Sequence, residues 1–386
     1  MTPNNAADTQ PLDVLMVSAR YFPLMGGTET HTYEVAHRLA QAGHHITVLT
    51  TNPGNRLPAH ESADGVCIIR TQAWPANRDY YFAPGMLPVI TDKHWDVIHI
   101  QGYHTLVAPL AMFAALIAKT PYVVTFHSGG HSSGMRNKAR GFQRQLLRPL
   151  LAHAAQLIGV SEFEADFFSE QLGLPRERFK VIPNGARLGT IPPQSVAQEC
   201  EESSDHAPLI VSVGRLERYK QHQKVIRAFR HVLEQRPDAR LRIAGAGPYE
   251  DALHTLVDDL KLSHQVEIKA VPPSDRQAMA QLLSSASLVT LFSDYEAHPI
   301  SVMEALSLRR PVLVTYTSGL GELADRGLAR AIPVDCSDVD AAKAIIHQLE
   351  APLIPSALDL PTWEACATAL EAIYRRVSAE SNRTSA

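Results

Sequence analysis

Two glutamates, Glu296 and Glu304, are separated by seven residues in the stretch Ser293-Asp294-Tyr295-Glu296-Ala297-His298-Pro299-Ile300-Ser301-Val302-Met303-Glu304. A carboxylate repels phosphate but accepts hydrogen bonds from hydroxyls. The stretch follows an apolar run, Leu288-Val289-Thr290-Leu291-Phe292, that reads as a buried parallel strand. Pro299 suits the first turn of a helix, and Ile300, Met303 and Leu306 then recur at helical spacing. Arg309 and Arg310 fall at the helix end, where cations are favoured. The unit is therefore strand, polar loop, helix, and a further strand over 311–315. Open α/β sheets bind ligands at such loops, and free N–H groups at a helix start favour an anion. A ligand with phosphate for the helix start and hydroxyls for the carboxylates is a nucleotide sugar. Spacing alone also allows a solvated loop glutamate and a salt-bridged helix glutamate.

Cations come from a second segment. Gly214-Arg215-Leu216-Glu217-Arg218-Tyr219-Lys220 follows a predicted strand over 209–213. Arg215 offers a planar fork and Lys220 a point charge to a diphosphate, although an isolated pair also reads as two surface cations. Glycine turns end two more strands. One is Gly245-Ala246-Gly247-Pro248; the other is Gly26-Gly27, between a strand over 13–17 and a helix carrying Val35, Ala36, Leu39 and Ala40. Tandem glycines let backbone N–H groups approach a phosphate, or simply make a tight turn. Neither is the G-x-G-x-x-G dinucleotide fingerprint. His127 ends a strand over 121–126, a place that suits either structure or chemistry.

In this order the segments resemble the retaining GT-B glycosyltransferases of family 4. Glu296 to Glu304 resembles the E-x7-E segment, and Gly214 to Lys220 resembles G-R-L-x-x-x-K. Gly26-Gly27 with Glu29 resembles the first glycine loop, and His127 matches a histidine placed near the donor sugar. The segment 317–323 resembles the family's Gly-x-x-Glu segment, and 271–273 the place where the base is bound. Four departures stand out. Ser128 replaces a common Asp, and Gln221 replaces the Gly after the lysine. Ala297-His298-Pro299 replaces Gly-Phe-Gly or Gly-Phe-Pro, and Leu308-Arg309-Arg310 replaces a small residue with Gly.

The resemblance implies an α/β chain of GT-B architecture, with two Rossmann-like domains facing across a cleft. It implies retaining transfer of a hexosyl unit from a nucleoside diphosphate sugar to a hydroxyl of a glycan, lipid-linked or small-molecule acceptor. UDP-sugars are the first expectation and GDP-sugars the second. Glu296 would hold sugar hydroxyls and Glu304 the ribose, while Arg215 and Lys220 stabilise the leaving diphosphate in place of a metal. His127 would contact the sugar. Gly26, Gly27, Gly214, Gly247, His298, Pro299 and Ile300 complete the implied donor site. No cofactor beyond the sugar nucleotide is expected, and no D-x-D metal site is apparent. The alternatives are a non-catalytic nucleotide-sugar-binding subunit and a nucleotide-sugar epimerase of the same fold.

The elements that must position these residues fit the length. The 386 residues suit two domains: 1–188, a linker rich in Pro, Ser, Gln and Glu over 189–207, and 208–362. Trp363, Ala367, Leu370 and Tyr374 form a stripe on a helix over 363–380, which in the family packs on the first domain. Apolar residues make up 45% and charged residues 20%, and the net charge of -4 argues against nucleic-acid binding. Cys67, Cys200, Cys336 and Cys366 have no ligand spacing, and the histidines form no metal motif. The first ten residues lack a signal-peptide pattern, which with the cysteine usage leads us to expect a cytoplasmic protein. Arg136, Arg140, Arg144 and Arg148 drift across one helix face, with Phe142, Leu146 and Leu150 opposite. They read as a solvated face, or as a surface for an anionic acceptor or the inner face of a membrane. The aromatic- and proline-rich connection 74–88 is long enough to line an acceptor pocket.

Overall fold

A computed structural model describes residues 10–24, 26–75, 81–127, 134–186, 207–272, 275–356 and 358–385, leaving the side chains of 134–140, 142, 384 and 385 outside the description. The expected linker and Arg136 and Arg140 side chains therefore lie outside the described residues. Short apolar runs alternating with amphipathic stretches build two separate sheets, one wholly parallel and one parallel but for an edge strand, each the centre of one compact unit.

The first sheet has the order β3-β4-β2-β1-β5-β6-β7-β8. Its strands are β1 (Asp13–Ser18), β2 (His45–Pro53), β3 (His60–Ala63), β4 (Val66–Ala73), β5 (Val97–Gln101), β6 (Tyr122–Thr125), β7 (Gln156–Gly159) and β8 (Phe179–Val181). Only β3 runs antiparallel to its neighbour. It is a polar edge strand, His-Glu-Ser-Ala, with none of the apolar pattern that would announce it. Between the strands lie α1 (Gly27–Gln41), α2 (Met86–Thr91), α3 (Val107–Ala118), α4 (Gly134–His153) and α5 (Glu162–Leu172). Within the described part of the connection 74–88, Tyr81, Ala83 and Met86 are buried in the core, while Trp74 and Phe82 are exposed.

The second sheet is wholly parallel, in the order β11-β10-β9-β12-β13-β14. Its strands are β9 (Leu209–Val213), β10 (Arg240–Ala244), β11 (Val266–Ile268), β12 (Leu288–Leu291), β13 (Val312–Thr315) and β14 (Arg330–Ile332). Its helices are α6 (His222–Val232), α7 (Glu250–Asp259), α8 (Arg276–Ser284), α9 (Ile300–Ser307), α10 (Ser318–Asp325) and α11 (Asp338–Glu350). From β9 the chain lays down β10 and β11 on one side, then returns to place β12, β13 and β14 on the other. The loops after β9 and β12 thus meet at a topological switch point, where such sheets open a crevice.

The last helix, α12 (Trp363–Ser385), belongs to the first unit. Trp363, Leu370 and Tyr374 are fully buried, and each such side chain contributes roughly 1.5–3 kcal/mol relative to exposure. Among the described residues no helix is long and apolar enough to cross a membrane.

Candidate functional site

Within the second unit the structure joins the two segments that carry the predicted chemistry. Because β9 and β12 are neighbours, the turn Arg218–Lys220 lies against the loop 293–299. Asp294 N donates to Tyr219 O (2.8 Å), Gln221 Nε2 donates to Asp294 Oδ1 (2.8 Å), and the rings of Tyr219 and Tyr295 stack 4.7 Å apart. Lys220 Nζ then forms an ion pair with Glu296 Oε1, which also accepts from Ser293 Oγ (2.8 Å). Both partners of that pair are 13% exposed. In this enclosed setting the attraction is screened less than at a surface.

The second glutamate has its own cation. Glu304 on α9 is buried and pairs with Arg276 at the start of α8. Sequence reading missed Arg276, which lies outside the motifs and beyond the reach of local spacing. Arg215 pairs with Glu217 (2.8 Å) and stays partly exposed. Pro299 occupies the position just before α9, one residue earlier than expected, and is buried while His298 is partly so.

The loop around Glu296 is held from behind. Glu296 N donates to Ser318 Oγ (2.7 Å), Gly319 N to Glu296 O (2.9 Å), and Thr315 Oγ1 to Ser293 O (2.5 Å). A Cβ on Gly319 would fall 1.8 Å from Ala297 O, so only glycine fits there. The glycine turn after β10 closes the other side. Gly214 N donates to Ala244 O (3.1 Å), and a Cβ on Gly247 would meet Leu216 O at 2.5 Å. Beneath Gly214 lies His222, wholly buried, 3.0 Å from Ser212 Oγ through Nδ1. Burial, then the Lys220 charge, pushes its imidazole down to about 4.

Two residues that stand where the resemblance expects glycine have a backbone that favours glycine. Gln221 has φ 55° and Arg309 has φ 58°, both in the left-handed region. Holding a non-glycine residue there costs on the order of 1–2 kcal/mol.

In the first unit, His127 follows β6 with φ 59°. Its Nε2 lies 2.7 Å from Gln101 Oε1, and its ring meets His31 edge-on at 4.6 Å between centroids. Burial first, then the imidazoles of His31, His99 and His104, pushes its pKa well below the ordinary value. Part of the residue nevertheless remains accessible. His31 bonds Asn184 Oδ1 (2.8 Å), and burial pushes its pKa down to about 4. Gly26 and Gly27 open α1 after β1, with free space where a Cβ on Gly27 would sit.

The basic face of α4 is partly structural. Arg144 is buried, bonds Gln171 Oε1 (2.9 Å) and lies over the Phe167 ring. Arg148 Nε donates to Leu172 O (2.7 Å) at the end of α5, where a cation is favoured. Leu146, expected on the buried side, is 67% exposed, and Leu147 and Leu151 are buried instead. Long arginine stems cover apolar surface, so charge did not mark the exposed face. Among the described residues no cluster of His, Cys, Asp or Glu is arranged to hold a metal ion.

Comparison with known proteins gives the family and the fold. Residues 25–189 match the model described as Glycosyltransferase Family 4, and 197–357 that of Glycosyl transferases group 1. An uncharacterized glycosyltransferase of Methanocaldococcus jannaschii is 28% identical over 335 residues, covering 81% of this chain and 82% of its own. A glycogen synthase of Mycobacterium tuberculosis is 27% identical over 360 residues, covering 85% and 83%. Among solved structures, sucrose-phosphate synthase from Thermosynechococcus elongatus superposes with a TM-score of 0.77 at 20% identity, covering 95% of this chain and 99% of its own. Anabaena HepE, solved with UDP and glucose, gives 0.67 at 18% identity, covering 97% and 99%.

Proposed function

Because the chain belongs to the group 1, family 4 glycosyltransferases, which move a sugar from a nucleotide sugar, we propose that it transfers a hexosyl unit with retention to a hydroxyl acceptor. The observation that carries this reading is the Lys220–Glu296 ion pair at the meeting of the β9 and β12 loops. Without ligand the two charges neutralise each other. A diphosphate attracts the ammonium, and Glu296 is then left to accept hydroxyls of the attached sugar. Arg215 adds a fork for the diphosphate, and together these cations offset charge as the leaving group departs. Glu304, fixed by Arg276 on a rigid helix, is assigned to the ribose. Gly214, Gly247, His298, Pro299 and Ile300 shape the donor pocket of this unit, and the contact of His127 with the sugar rests on the resemblance. UDP is placed first because Anabaena HepE, of the same fold, was solved with UDP-glucose.

The acceptor side is assigned a surface for an anionic membrane face. Leu106, Phe113, Leu116 and Ile117 are exposed along α3, which carries no charge, and α4 carries no acid over 134–153. An exposed apolar helix face and a helix sequence with cations and no acid suit an anionic membrane face, with Arg144 and Arg148 themselves engaged within the fold. Peripheral attachment is therefore part of the proposal, and absence of binding to anionic vesicles at low salt would remove it.

A panel of UDP-, GDP- and ADP-sugars, followed by thermal shift and product analysis, tests the main reading. The expected result is stabilisation and turnover with a UDP-sugar. Tight binding without turnover supports a binding subunit. Interconversion of the free donor supports an epimerase, and no binding of any donor overturns the proposal.

A further inference from the structure

His99 and Gln101 alternate with Val97, Ile98 and Ile100 on β5, a central strand of the first sheet. His99 is fully buried and Gln101 is 5% exposed. Two polar residues at i and i+2 point to one face, so their hydrogen bonds must be found among neighbours. His99 Nδ1 lies 2.5 Å from Tyr374 Oη on α12, and its Nε2 lies 2.7 Å from Thr125 Oγ1 on β6. Each hydroxyl can donate or accept, so a neutral imidazole is satisfied at both nitrogens.

Gln101 links this pair to His127. Its amide nitrogen lies 3.2 and 3.3 Å from the two nitrogens of His99, so it addresses the ring as a whole rather than one lone pair. An amide N–H is attracted to an electron-rich ring, whereas a carbonyl oxygen in that place is repelled. The amide is therefore held with its nitrogen on His99 and Oε1 towards His127 Nε2, 2.7 Å away. An oxygen acceptor at that distance requires the proton on Nε2 of His127.

We propose that Gln101 is a positioning residue for His127, fixing the imidazole as the Nε2–H tautomer and leaving Nδ1 as the acceptor for a hydroxyl of the donor sugar. The strained backbone of His127, at φ 59°, is consistent with a ring whose direction is set by its surroundings. The sugar contact rests on the function proposed above; the tautomer does not. The described titratable groups around His127 are His31 on α1, His99 on β5 and His104 before α3, none of which brings a carboxylate. A carboxylate at position 101 would thus be a new charge beside the ring, favouring imidazolium and turning Nδ1 into a donor.

Long-range proton–nitrogen NMR of histidine-labelled protein reads the tautomer without any assay of transfer. The wild type should show His127 protonated at Nε2 and uncharged at pH 6. Gln101→Leu should lose the single tautomer. Gln101→Glu should raise the His127 pKa and lower kcat about tenfold or more at pH 7, with recovery as the pH rises above the new value. His127 protonated at Nδ1 in the wild type would overturn the proposal, even if Gln101→Glu does not fold. So would a folded Gln101→Glu whose pH profile overlays that of the wild type. Failure of every donor to react, with the tautomer as stated, would instead count against the function and not against the positioning.

Discussion

The candidate residues of the two units are held by opposite means. In the second unit the candidate glutamates are paired with cations, Lys220 with Glu296 and Arg276 with Glu304, and only His222, beneath Gly214, is a buried neutral imidazole among the described candidates. In the first, His31, His99 and His127 are neutral, joined through Gln101, Asn184, Thr125 and Tyr374. Paired charges can be exchanged for those of a ligand: under the proposed function, an arriving diphosphate would replace the carboxylate on the lysine. Neutral networks cannot be exchanged in that way. They fix direction, and their strength depends on every donor meeting an acceptor. The charged unit is therefore suited to binding, and the neutral unit to orientation.

The largest effect is expected from Gly319→Ala, which breaks the charged side alone. Its Cβ would stand 1.8 Å from Ala297 O, forcing the Glu296 loop away from Ser318. Displacing a reacting group by about 1 Å can lower rate by about 100-fold, and transfer should fall at least that far. The His127 tautomer should stay unchanged by NMR. A full-rate Gly319→Ala enzyme would show that the loop is not held as described.

The neutral side should show itself in acid. Burial pushes His31 to about 4, and His99 and His127 also below their ordinary value. The unfolded chain, with imidazoles near 6.5, then binds more protons than the folded one between about pH 6.5 and 4. Stability is present in full above the unfolded value and is lost as pH falls, by up to about 1.4 kcal/mol per pH unit for each buried imidazole that stays neutral. Urea midpoints between pH 7.5 and 5 measure this slope, and His31→Gln should reduce it by close to one proton. A slope untouched by that change would mean that His31 is charged when folded.

The smallest effect concerns backbone alone. Arg309 is exposed, with its guanidinium 3.3 Å from Ser356 O, and holds a left-handed conformation. Arg309→Gly should raise stability by roughly 0.5–1 kcal/mol, strain relief outweighing the entropy of glycine. Any loss of stability in a denaturant titration would show that the side chain does more there than the contact suggests.

These contrasts also explain what could be read beforehand. The two sheets were legible because buried parallel strands are short apolar runs, as in 288–292, and because glycine turns follow them. Glu296, Lys220 and Arg215 were legible because a family pattern marks them. The polar edge β3 was not, since its residues carry no periodicity. Arg276 escaped because its partner, Glu304, lies 28 residues away on another helix. His99 and Gln101 left a trace in the sequence, polar residues two apart in an apolar strand, but their meaning depends on Tyr374, brought in from the far end of the chain. Arg144 misled, because an arginine whose stem packs on Phe167 looks in sequence like any solvated cation.

The division of labour between the glutamates is the centre of the account, and calorimetry with free nucleoside diphosphate tests it directly alongside transfer rates. Glu304→Gln should weaken diphosphate binding about tenfold or more, since the ribose is held similarly in ground and transition states. Glu296→Gln should leave that binding intact or tighten it, because Lys220 loses its resident carboxylate, while transfer from the sugar donor falls at least tenfold. Equal weakening of diphosphate binding by the two substitutions would contradict the assignment.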